Sequence, residues 1–171
     1  MTACLRDPRS DRLSLLGVYL NDHLAGATLG TELARRMAKA ERHAATAQEL
    51  RRLAAEIAED RASLLDIMRA LGVRPRRYKA GAGWLAEKAG RLKGNRQLVR
   101  RSPLSSLLEL EMLRIGVEGK ALGWRALREV ADGHERLDKR RLDGLLDRAR
   151  DQGATLERLH LQRVAHALPA S

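Results

Sequence analysis

Apolar residues recur so densely over 104–131 that, drawn at 100° per residue, they cover a broad helical arc. Leu113, Val117, Ala121 and Trp124 fall toward one side of it, and Leu108, Met112, Ile115 and Leu122 toward the other. Glu109, Gly116, Lys120, Gly123 and Leu127 lie between them. One narrow stripe is plainly polar: Glu111, Arg114, Glu118, Arg125 and Glu129. A helix apolar over most of its circumference needs several partners, and the pattern predicts three more helices.

The first runs from about Asp11 to about Glu41, after a lead-in over 1–10 with Ser10 as N-cap. Its predicted inward line is Leu16, Tyr19, His23, Gly26, Gly30, Leu33 and Met37, in 3-4 spacing. Gly26 and Gly30 cost helix propensity, so they predict close approach by a neighbour. The second spans about 47–71, with Leu50, Leu53, Ile57, Asp60, Leu64, Ile67 and Leu71 inward. Thr46-Ala47-Gln48-Glu49 fits a capping box at its start. Gly72 and Pro75 fit its C-terminal end. One uninterrupted helix of about 60 residues is the alternative. Ser102-Pro103 starts the third helix, which ends near Asp132-Gly133. The fourth runs from Lys139 to Ala167 with Asp138 as N-cap, and turns Leu142, Leu145, Leu146, Ala149, Gln152, Leu156, His160 and Val164 inward.

Composition changes this picture little. A chain of 171 residues supports one domain with a real core, here 11–168. The absence of Phe makes that core mostly aliphatic. Cys4 is the sole cysteine and excludes an intramolecular disulfide. No apolar run reaches the roughly 18 residues of a membrane span, and the first residues lack a signal peptide's apolar core. A cytoplasmic protein away from membranes is the expectation.

Charge changes it more. Residues 73–102 carry ten Lys or Arg against one acid, Glu87, and so hold most of the formal charge of +11. This is a basic segment on a near-neutral body. At about 30 residues it is far longer than the usual 2–8 between bundle helices.

Two helices, a long connection and two more helices resemble the ferritin-like superfamily in layout over 11–167. The resemblance is one of architecture and implies an all-α four-helix bundle with a long crossover between helices 2 and 3, which then run parallel. A plain up-down-up-down bundle with a decorated loop is the alternative. The superfamily's di-iron members place a carboxylate on each of two helices and Glu-x-x-His on each of the other two, all inward. Here the inward polar residues are His23, Asp60, Glu109, Lys120, Gln152 and His160. Glu157-Arg-Leu-His160 is the one Glu-x-x-His, and helix 2 has none. Counted from the helix midpoints, His23, Asp60, Lys120 and Gln152 share one depth. Glu109 and His160 fall roughly 10 Å nearer one end. A lysine among so few carboxylates opposes a metal pair. The expectation is no metal and no cofactor, with Asp60 and Lys120 paired and His23 close by.

No catalytic set emerges: Cys4 stands in the lead-in, and Gly81-Ala82-Gly83 follows no strand. Three functions remain. The first is a metal-free, non-catalytic bundle that acts through interactions, as a homo-oligomer or with a protein partner. The second is binding of nucleic acid or another polyanion through Arg74, Arg76, Arg77, Lys79, Arg91, Lys93, Arg96, Arg100 and Arg101. With one Tyr and one Trp in the segment, base stacking contributes little there. The third is a metal-binding or redox ferritin-like protein.

Overall fold

The computed structural model describes residues 8–76 and 103–168, with four α-helices. These are α1 (Pro8–Ala40), α2 (Ala44–Ala70), α3 (Pro103–Val130) and α4 (Lys139–Ala167), with a 3-10 turn at Ala131–Gly133. The fold is an all-α four-helix bundle.

The helix ends follow local chemistry. Pro8 and Pro103 open α1 and α3, where a missing N–H leaves no hydrogen bond unmade. Ser10 therefore lies inside α1 and is not its cap. Asp138 caps α4, its carboxylate accepting from the N–H groups of Arg140 (2.9 Å) and Arg141 (3.2 Å). Gly72, at φ 74°, closes α2. Its N–H donates to Arg69 O and that of Val73 to Met68 O, the paired bonds of a Schellman turn. The start of α2 departs from the capping-box reading. His43 is the N-cap, its side chain caps no first-turn N–H, and Thr46 is already helical, its hydroxyl 3.2 Å from His43 Nδ1. Glu41 orders this turn instead, accepting from the N–H groups of Arg42 (2.8 Å) and His43 (3.0 Å).

Side-chain pairs set the directions. Arg36 meets Glu109 (3.3 Å) and His23 meets Gly123, so α1 and α3 are antiparallel. Arg141 with Asp66 (3.1 Å) and Arg148 with Glu59 (3.1 Å) make α4 antiparallel to α2. Arg128 with Asp143 (2.8 Å) and Arg114 with Glu157 (4.0 Å) make it antiparallel to α3. Thus α2 and α3 run in the same direction. Packing joins α1 to α2, α1 to α3 and α3 to α4.

The core divides in two. One half gathers Leu20, Leu24, Met68, Trp124, Leu127 and Leu142. The other gathers Ala34, Leu53, Ile57, Leu113, Val117 and Leu156. Burying these side chains at about 25 cal/mol per Å² drives the assembly.

In α1 the buried residues are Leu20, Asn21, Leu24, Thr31, Ala34, Met37 and Ala38; Met37 is inward as predicted, while Leu20, Leu24, Thr31 and Ala34 lie one residue beyond the predicted positions. Tyr19 and Gly26 are exposed and His23, Gly30 and Leu33 half-buried. An added Cβ at Gly26 or Gly30 would meet nothing within 4 Å, so no neighbour approaches either glycine closely. The close approach falls at Gly123, where an added Cβ would stand 2.9 Å from His23 Cε1. The α3 helix departs more. Leu107, Leu113, Val117, Trp124 and Leu127 are buried, yet Ile115 is 66% and Leu122 52% exposed. Packed against α1 and α4, it leaves its outer side open.

Candidate functional site

A polar layer separates the two halves of the core. Asp60 on α2 and Gln152 on α4 are each 1% exposed. Regular 3-4 spacing brings both inward from helices whose other inward residues are apolar. The Lys120 ammonium, on α3, donates to Asp60 Oδ2 and to Gln152 Oε1. The Gln152 amide donates to Asp60 Oδ2 (3.1 Å) and reaches Glu56 (3.4 Å). The Arg148 guanidinium lies 2.6 Å from Asp60 Oδ1 and 3.1 Å from Glu59. Burial pulls the Lys120 ammonium below its ordinary 10.5, Asp60 opposes that pull, and Arg148 adds to it. Isolated charges here would be costly; in this layer each is paired.

Of the six inward polar residues read from the sequence, the structure brings together Asp60, Lys120 and Gln152. The other three stand elsewhere. His23 lies on the α1–α3 seam, edge-on to Tyr19 (ring centroids 4.5 Å apart) and against Gly123. Burial pulls its imidazole below the ordinary 6.5, with Asp22 opposing. Glu109 pairs with Arg36, and His160 with Glu111 (3.1 Å) on a half-open surface. Arg148 and Glu56 belong to the layer but were missed. Both side chains are long enough to reach it from beside the inward line, which a periodicity reading does not register.

Apart from this layer, a concavity of about 600 Å³ opens at the end where α2 and α3 begin. Its floor is Met37, Leu50, Leu110 and Leu159. Its rim charges pair with one another, Arg163 with Glu41 and Arg158 with Glu49. Burial raises the Glu41 carboxyl, but the His43 and Arg42 N–H groups and Arg163 outweigh it, and the net direction is down. Of the basic residues proposed for polyanions, Arg74 and Arg76 are exposed. Arg77, Lys79, Arg91, Lys93, Arg96, Arg100 and Arg101 lie outside the described residues, as does Cys4.

The residues present do not fit a di-iron centre. At mid-bundle an ammonium occupies the space between Asp60 and Gln152, and the amide adds a further donor. Among the described residues, no group of three or more His, Cys, Asp or Glu is placed to hold a metal ion. No described helix is long and apolar enough to cross a membrane. Comparison of the chain with family models, curated proteins and solved structures found no match in any of the three.

Proposed function

We propose that this chain is a ferritin-like bundle that works without metal or catalysis, by associating through the outer face of α3 and the adjoining edge of α1. The observation that carries this reading is the exposed apolar stripe of α3. Leu104, Leu108, Met112, Ile115, Gly119, Leu122, Ala126 and Val130 follow one another at three- and four-residue steps, each half-buried or exposed. Scattered exposed leucines need no explanation, whereas a contiguous apolar strip the length of a helix marks an interaction surface. The shared direction of α2 and α3 supports kinship with the ferritin-like superfamily. The Lys120 layer supports a bundle held by ion pairs in place of metal.

A photo-crosslinking residue at Ile115 or Leu122 tests it in cells. The same residue at Leu161, equally exposed on α4, is the control. A discrete cross-linked species from the α3 positions alone is expected. No cross-link from either α3 position would defeat the reading.

A second reading, polyanion binding through 73–102, is favoured by the exposure of Arg74 and Arg76 where that segment leaves α2.

A further inference from the structure

We propose that Asn21 sets Arg74 and Arg76 as a fixed pair of cations for two neighbouring phosphates on one strand of a nucleic acid. The proposal rests on the polyanion reading above, and adds to it a partner and a residue outside 73–102. Asn21 lies on α1 and is 2% exposed. Its amide nitrogen donates to Gly17 O (2.7 Å) and to Arg74 O (3.2 Å). Its amide oxygen accepts from the Arg76 N–H (2.6 Å). The bonds to Arg74 and Arg76 span Pro75 as a parallel strand would, one to the carbonyl before it and one to the N–H after it. Such a bridge needs extended backbone at Pro75. Arg74 is extended for a second reason, since it precedes a proline. Two further contacts fix the stretch. The Val73 N–H donates to Met68 O (2.8 Å), and the Val73 side chain rests over Gly17, where an added Cβ would stand 3.8 Å from its Cγ1.

A connection that had only to leave α2 would need none of this. The Arg74 carbonyl and the Arg76 N–H belong to exposed residues, which water could serve. Burying an amide is costly unless its bonds are made, so a core position of α1 is committed to holding this exit. What it holds is two guanidinium groups. Extended residues two apart share a face, and their roots stand ~6.6 Å apart. Phosphates along one strand climb ~3.4 Å each while turning with the helix, so neighbours stand about 7 Å apart. Neither guanidinium has an ion pair among the described residues. Arg69, Arg128 and Arg141, at the same end of the bundle, are each held by a carboxylate. A backbone fixed beforehand also spares part of the ordering cost of binding.

Fluorescence anisotropy of the full chain with a short labelled DNA duplex, over a series of salt concentrations, tests the proposal. Asn21→Leu keeps every charge and should weaken binding about tenfold, with the salt dependence nearly kept. Pro75→Gly, at an exposed position, loosens the same stretch without touching Asn21. It should weaken binding likewise, and it keeps the test decisive where Asn21→Leu fails to fold. Arg74→Ser with Arg76→Ser should lower the slope of log affinity against log salt by about two. In that double-serine background neither Asn21→Leu nor Pro75→Gly should weaken binding further. Losses of equal size in both backgrounds would assign Asn21 to general stability and overturn the proposal. So would salt-dependent binding that none of these changes alters, and polyanion binding would then stand on other residues. A wild type that binds no duplex defeats the polyanion reading together with the proposal.

Discussion

At the scale of the residue, the question is why three of six inward polar positions meet. Asp60 and Gln152 sit on helices whose apolar periodicity is regular, so their phase can be read directly. His160 shares a helix with Gln152 but lies near its open end, where the bundle no longer surrounds it. His23 was misplaced because α1 carries small residues on two sides, and Gly26 and Gly30 read as well inward as outward. The central trio makes a sharp prediction. Lys120→Met leaves Asp60 with Arg148 and the Gln152 amide, so its cost should fall short of the roughly 3–5 kcal/mol of stranding a buried charge. Asp60→Leu strands Lys120 against Gln152 Oε1 and should cost more. The double variant Asp60→Leu with Lys120→Met should recover much of the loss. Urea titrations of the four proteins decide it, and additive single effects would mean that the two groups do not interact. His23 makes a second prediction. Its pKa is lower folded than unfolded, so as pH falls the unfolded chain takes the proton first. Stability should therefore drop through the window below 6.5 and level off once folded His23 is protonated as well. His23→Gln should flatten that drop between pH 7.5 and 5, read as a smaller change in denaturation midpoint.

At the scale of the element, capping was legible where one residue type does one job. Asp138 and Gly72 are examples: a carboxylate can reach two free N–H groups, and a glycine tolerates φ 74°. The start of α2 was not legible, because Thr46 and Glu41 offer competing ways to order one turn. Helix phase shows the same division. In α2, wide apolar side chains on one face leave a single solution. The α1 helix, rich in Gly and Ala, admits a rotation of one residue at little apolar cost. Glycine substitution reads the phase directly. Gly26→Ala and Gly30→Ala, each with open space for the new methyl, should stabilise the fold by up to about 1 kcal/mol. Gly123→Ala should lose that gain, because its methyl collides with the His23 ring. Repeating Gly123→Ala in a His23→Ala background should turn the effect favourable. Thermal unfolding of these variants provides the check.

At the scale of the whole molecule, the order of the helices was legible from connection lengths. A long connection between α2 and α3 permits the two to run in the same direction, and the ion pairs along the bundle have them do so. The open side of α3 was not legible. An apolar arc says that a surface must be covered, but not whether the cover comes from the same chain. The distribution of charge poses a related problem, since the described helices hold dense networks of paired acids and bases while 73–102 holds nearly all the excess. Neutralising phosphates with that excess would release counterions, so affinity for duplex DNA should fall steeply with salt. Replacing Arg74, Arg76, Arg77, Arg100 and Arg101 by Ser removes five charges and should reduce the slope of log affinity against log salt by up to about five. Stability should barely change, since exposed like charges contribute little to folding. Heparin chromatography and DNA titrations between about 50 and 200 mM salt are the measurement. Equal retention of wild type and variant would remove polyanion binding through this segment and leave its charge as solvation of a long connection.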